Sequence, residues 1–142
     1  MQLPDVNVLI YAFNEGADRH NECKRWLDGL IDGPAAFGIS ELVLSSVLRI
    51  VTQARIFAAP ANMKDAILFV EMIRNAPQCR IIRPGARHWD IFVDLCRRAN
   101  VRGVMVTDAY LAALAIEHGC EFMTTDHDFA RFPGLTWRDP CS

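Results

Sequence analysis

Short apolar runs, each followed by a segment of helical spacing, recur along the whole chain, and this alternation constrains the fold more than any other feature. The runs are Leu3-Pro4 ahead of Asp5, Ala35 to Ile39, Cys79 to Ile82, Val104 to Val106, and Glu121 to Thr124. At two to five residues they suit buried strands rather than core helices. Between them, Asp18 is placed to cap a helix through Trp26, Leu27, Leu30 and Ile31 that ends near Gly33-Pro34. Ser40 is placed to cap a helix to about Gln53, and Ala61 to Asn75 forms another, with Ile67, Leu68, Met72 and Ile73 on its apolar side. A helix from about Ala86 to Ala99 carries Trp89, Phe92, Val93 and Cys96 at helical spacing. Thr107 is placed to cap the last long helix, which Gly119 ends. Val6 to Phe13 fits either a helical turn after a very short strand or one longer strand, and Thr136-Trp137 suits an edge strand. Strands alternating with helices imply βαβ crossovers and a parallel sheet covered on both faces. The expectation is an α/β fold, a three-layer α/β/α sandwich forming one domain over residues 1–142.

The 142 residues are enough to bury about two-thirds of the unfolded surface. With 51% hydrophobic and 23% charged residues, the composition is that of a folded protein and excludes a disordered tail. Five cysteines (Cys23, Cys79, Cys96, Cys120 and Cys141) make an odd set with no C-x-x-C pair. They read as small buried hydrophobes in a reducing compartment, without disulfides or zinc. No apolar stretch reaches the ~20 residues of a membrane span, and Asp5 and Asn7 interrupt the N-terminal run. A cytoplasmic protein is expected.

The acids fall in a pattern. Asp5, Glu41, Asp108 and Asp126 each follow the end of a short apolar run within a residue or two. In an open parallel sheet the strand carboxyl ends share one edge, where ligand sites form. Taken singly, each acid reads as a surface charge or a favourable charge at a helix start. The same context met four times points to convergence. Carboxylates ~5 Å apart repel by roughly 3 kcal/mol per pair at an effective dielectric of about 20, so a cluster needs protons or a cation. Carboxylate oxygens suit Mg²⁺ or Mn²⁺, and such ions activate water against phosphodiesters. Asp128 is either a fifth ligand or the cap of a short helix before Pro133.

Four segments resemble the motifs of PIN domains, in particular those of VapC-type toxins from bacterial toxin–antitoxin pairs. They are Asp5-Val6-Asn7 with the run to Ala12, Ile39-Ser40-Glu41-Leu42 with Arg49, Thr107-Asp108-Ala109-Tyr110-Leu111-Ala112-Ala113-Leu114-Ala115, and Thr124-Thr125-Asp126-His127-Asp128-Phe129. The resemblance implies a PIN fold and an endoribonuclease dependent on Mg²⁺ or Mn²⁺. It also implies a homodimer, an RNA substrate and a VapB-like antitoxin partner. By matching position, Asp5, Glu41, Asp108 and Asp126 form its acidic quartet, with Asp5 and Asp108 as direct ligands and Asn7 and Thr124 as supporting polar groups. Residues from about 55 to 100 carry no motif of the family.

Arg49 lies two turns after Glu41 on the same expected helix, where it can reach an RNA phosphate or form an ordinary ion pair. His127 sits between two acids, and Trp26 and Trp89 fall on apolar helix faces that suit the core. Two rival readings stand beside the nuclease: an inactive PIN-like module that binds RNA or protein, and a phosphoacceptor receiver domain. The second needs a lysine after a late strand, whereas the two lysines are Lys24 and Lys64.

Overall fold

A computed structural model describes residues 1–53 and 59–142. Five short strands, β1 (Gln2–Pro4), β2 (Phe37–Ile39), β3 (Cys79–Ile81), β4 (Glu121–Met123) and β5 (Trp137–Arg138), form one sheet in the order β3-β2-β1-β4-β5. All pairings are parallel, with Leu3 opposite Phe122 and Ile39 opposite Ile81. All three residues of β2 are buried, as a strand covered on both faces requires. The covering helices are α1 (Val6–Phe13), α2 (His20–Asp32), α3 (Glu41–Val51), α4 (Met63–Arg74), α5 (His88–Arg98) and α6 (Met105–His118). Helix α1 packs on α2 and α3, α3 on α4, and α5 on α6. The expected α/β/α sandwich is therefore present, and Val6 to Phe13 takes the helical alternative.

The core gathers Leu3, Leu9, Phe37, Ile39, Leu114, Phe122 and Phe129, all fully buried. Phe122 on β4 meets Phe129 with ring centroids 4.8 Å apart. Helix α6 is buried over most of its circumference because it alternates Ala109, Ala112, Ala113 and Ala115 with Leu111 and Leu114. Small side chains let it approach its neighbours closely. Gly119 ends it at φ 65°, a left-handed conformation that costs glycine nothing, and its N–H donates to the carbonyls of Ala115 and Ile116.

Several local expectations differ from the structure. Val104 to Val106 is no strand: Val104 precedes α6, 87% exposed, and Thr107 lies within the first turn. The β-branched residues there mimic a strand, but among the described residues no strand lies alongside to pair with them. Arg19, not Asp18, precedes α2, and Ser40 stands at the α3 cap position without making a side-chain cap bond. Helix α4 buries Ala66, Val70 and Ile73 and leaves Ile67, Leu68 and Met72 exposed, while Trp89 on α5 is 65% exposed. Trp26 is half-buried and donates to Gln2 Oε1 at 3.1 Å.

The cysteines also depart from expectation. Cys23 in α2 and Cys141 in the tail form a disulfide, with Cα atoms 5.1 Å apart and 118 residues between them in sequence. Cys79, Cys96 and Cys120 are free. Replacing Phe122 by alanine removes the ring that joins β4 to the 127–131 turn. It should lower unfolding free energy by about 3–5 kcal/mol in urea titrations at unchanged m-value.

Candidate active site

Strand β1 connects to β2 on one side of the sheet, while β4 connects to β5 on the other. The crevice at the carboxyl ends of β1 and β4 is therefore the topological switch point, where loops splay apart and ligands bind. Asp5 leaves β1 there and caps α1: its Oδ1 accepts from Val6 N at 2.7 Å. Asp5 is 6% exposed and Thr124, just past β4, is fully buried. The Thr124 hydroxyl donates to Asp5 Oδ2 at 2.7 Å and accepts from Asp126 N at 3.0 Å. One buried hydroxyl thus fixes both acids across the crevice. Asp126 caps the 3₁₀ turn His127–Arg131 by accepting from Asp128 N at 2.9 Å. Asn7 Oδ1 accepts from Thr125 N at 3.4 Å, tying the first turn of α1 to the same loop.

These groups face a cavity of about 370 Å³. Asp5, Asn7, Asp108 and Asp126 line it, together with Arg49 and Ser46 from α3 and Thr107 from α6. Leu42, Ile50, Val104 and Phe129 make its apolar wall. Asp108 lies in the first turn of α6, and Asp5 caps α1, so both sit at positive helix ends.

Two carboxyls are strained by this placement. Burial pushes Asp5 up to about 6, against the lowering effect of the Thr124 and Val6 hydrogen bonds, and Asp126 adds repulsion. Burial also pushes Asp108 up to about 6, and Asp5, Asp126 and Asp128 raise it further while Arg131 opposes them. Such groups ask for a cation. Among the described residues, no three histidine, cysteine or acidic side chains are arranged to hold one metal ion together. Mg²⁺ keeps several waters and takes one or two carboxylates plus substrate phosphates, so Asp5 and Asp108 suffice as its protein donors.

Two expected members stand apart. Glu41 opens α3 but pairs with Arg74 at 3.0 Å and Arg83 at 3.4 Å, outside the cavity lining. Helix α3 turns Leu42, Ser46, Arg49 and Ile50 to the cavity, positions i, i+4, i+7 and i+8 of one helix face, and Glu41 lies one residue off that stripe. Asp128 is exposed and pairs with Arg131 at 3.6 Å; the cap role belongs to Asp126. Sequence reasoning missed Ser46 and Arg131. Arg131 donates to the Asp128 carbonyl at 3.0 Å and reaches Met105 Sδ at 3.3 Å, bridging the turn to α6. Its only sequence signal is a basic residue three positions after Asp128.

The PIN domain family model matches residues 3–135. The chain belongs to the PIN-domain family. It is 36% identical to Ribonuclease VapC33 of Mycobacterium tuberculosis over 140 residues, covering 99% of this chain and 98% of the relative. It is 39% identical to Ribonuclease VapC25 of the same organism, covering 95% of each. Among solved structures, VapBC2 from Rickettsia felis bound to a promoter DNA fragment matches with TM-score 0.71 and 17% identity over 96% of each chain. VapC20 of M. tuberculosis, a Sarcin-Ricin loop cleaving toxin, matches with TM-score 0.70 and 19% identity over 96% of this chain and 99% of that one.

The raised carboxyls set a sign for pH dependence. A carboxyl protonated more readily when folded than when unfolded stabilises the fold at low pH and loses that contribution as pH rises through its folded value. Without divalent ions, stability should therefore fall between about pH 4 and pH 6. Metal-free Asp108→Asn should melt above wild type at pH 7.5, and the gap should close at pH 4 in calorimetry.

Proposed function

We propose that this chain, as a single PIN domain over residues 1–142, is the toxin nuclease of a toxin–antitoxin pair, an endoribonuclease that hydrolyses RNA phosphodiesters. The observation that carries the reading is the facing pair Asp5 and Asp108, both pushed to about 6, in one open cavity at the sheet's switch point. Relatives named as VapC ribonucleases, aligned over nearly the full length, support it. Asp5 and Asp108 would hold Mg²⁺ or Mn²⁺, with Asp126 completing the acidic wall. When bound, the ion supplies Lewis acidity at phosphorus and a water of lowered pKa. Thr124 keeps Asp5 aimed at the cavity, and Asn7 fixes the 124–126 loop. Arg49 takes an RNA phosphate from the opposite wall, where a guanidinium can bind two oxygens at once. Glu41 holds Arg74 and Arg83 outside the cavity lining rather than serving as a metal ligand.

A VapB-like antitoxin is the proposed partner, supported by the toxin–antitoxin complexes among the structural neighbours. The exposed apolar residues Met63, Ile67, Leu68 and Met72 on α4 give a partner surface to cover, and Trp89, Val104 and Val106 give a second copy of the chain another. No described helix is long and apolar enough to cross a membrane. The cytoplasm, where RNA substrates reside, is the proposed site of action. A second reading, a PIN-like binding module without activity, draws on the absence of a three-ligand cluster among the described residues.

Purified protein should cleave RNA with Mg²⁺ or Mn²⁺ and stop on chelation. Asp5→Asn and Asp108→Asn should each lose on the order of 100-fold or more in kcat/KM, as for other lost transition-state charge contacts. Glu41→Gln should stay within about threefold of wild type. Undiminished cleavage in either Asp variant overturns the assignment, and metal binding without cleavage selects the binding module. Arg49→Ala should weaken RNA binding about tenfold and reduce the salt slope by about one unit, as expected for a lost phosphate contact.

A further inference from the structure

The C-terminal tail ends in a knot of contacts that the catalytic reading does not use. Asp139 follows β5 directly, and its side chain is 7% exposed. Its two carboxylate oxygens accept from Arg19 Nη2 at 2.9 and 2.8 Å. Oδ1 also accepts from Cys141 N at 2.9 Å, and Oδ2 lies 3.1 Å from His127 Nε2. Burial works against the charge, but Arg19, the Cys141 N–H and His127 together hold the Asp139 carboxyl below its ordinary value. One ionised carboxylate therefore joins three segments: the residue before α2, the 3₁₀ turn, and the tail itself.

Among the described residues, His127 is held from the tail side. Its ring lies 5.3 Å from the Trp137 ring, and its side chain is otherwise 69% exposed. It stands between Asp126, which lines the cavity, and Asp128, which raises Asp108. The inner side of this corner is fixed by the Thr124 hydroxyl on Asp126 N, and the far end of the turn by buried Phe129. The outer side has Asp139 and Trp137. The tail is in turn fastened two residues beyond Asp139, where Cys141 is bonded to Cys23 inside α2.

We propose that Asp139 is a positioning residue for the Asp126 corner of the acidic site, acting through His127, and that the Cys23–Cys141 bond fastens it in place. The proposal rests on the nuclease reading for what the corner does, but its measurable consequence is the affinity of the acidic cavity for a divalent ion. The 3₁₀ turn is short and half-exposed, and helices of this length have little intrinsic stability. Its first residues keep one orientation because they are pinned on both sides. Releasing the outer pin lets Asp126 swing away from Asp5 and Asp108 and lowers the negative charge density at the cavity. Contacts made directly to a metal ligand change metal affinity by about 10–100-fold when lost, and this contact, one residue removed, is expected at the lower end of that range.

The experiment is Mn²⁺ titration of the full chain by calorimetry, with RNA cleavage measured against Mn²⁺ concentration in parallel. Asp139→Ala and His127→Ala should each weaken Mn²⁺ binding about tenfold and raise the Mn²⁺ needed for half-maximal cleavage by the same factor, with kcat at saturating Mn²⁺ near wild type. The double variant should bind no more weakly than either single one, because both remove the same link. Should Asp139→Ala fail to fold, the wild-type chain reduced by a phosphine serves in its place. The phosphine donates two electrons and becomes its oxide, water supplies the oxygen and two protons, and Cys23 and Cys141 become thiols. Freed of reductant, that protein should bind Mn²⁺ several-fold more weakly than the oxidised form, and Cys141→Ser should match it and ignore the phosphine. Mn²⁺ affinities within twofold of oxidised wild type in these proteins, or additive losses in the double variant, overturn the proposal. A wild-type chain that binds Mn²⁺ with these dependences yet cuts no RNA refutes the nuclease reading alone. One that cuts RNA with metal affinity indifferent to Asp139 refutes the positioning role alone, and one that takes up no Mn²⁺ refutes both.

Discussion

The burial of Asp5 is the constraint on which the rest of the site depends. A carboxylate that is 6% exposed at the end of a central strand would be too costly without compensation. The fold supplies three kinds: the Val6 N–H at the start of α1, the Thr124 hydroxyl from the neighbouring strand, and the positive helix end that Asp5 caps. Because Thr124 reaches Asp5 only while β1 and β4 are in register, the charge and the sheet pairing enforce each other. The same hydroxyl then orients Asp126, so the acidic edge is built outward from one buried contact.

The compensation is incomplete, and the cavity keeps an electrostatic strain. Asp5 sits well above the ordinary carboxyl value because burial and repulsion from Asp126 outweigh the hydrogen bonds it receives, and Asp108 does so because burial and the neighbouring acids outweigh Arg131. Stored repulsion of this kind is a usual mark of functional sites. The surrounding cations are distributed accordingly. Arg131 lies where it relieves Asp108, while Arg74 and Arg83 are held off by Glu41. An acid that sequence position assigns to the cluster therefore spends its charge organising arginines beside it.

Much of this was legible in the sequence. Parallel strands covered on both faces must be short and apolar, so β2, β3 and β4 stand out as runs, and acids following β1 and β4 fall at the ligand edge by topology alone. Asp5, Asn7, Asp108 and Asp126 line the cavity as expected. Glu41 misled because distance from a strand end does not say which way a helix start points, a matter of helix phase. Val104 to Val106 misled because β-branched residues fit an exposed helix entrance when no strand lies alongside. Helices α4 and α5 misled because apolar spacing names an apolar face without saying what covers it: Leu68 and Trp89 face outward.

What the sequence alone determined is the alternation of elements, hence a parallel α/β sheet, and the placement of Asp5 and Asp126 at its carboxyl edge. Both follow from local rules of period and chain direction. What only the tertiary structure decided is which acids meet, which arginines accompany them, and that Cys23 finds Cys141 across 118 residues. Those outcomes depend on packing angles and loop paths that bring distant segments within a few ångströms. Spacing along the chain carries no record of them, because residues such as Arg19, His127 and Asp139 become neighbours only once the sheet has closed its edge.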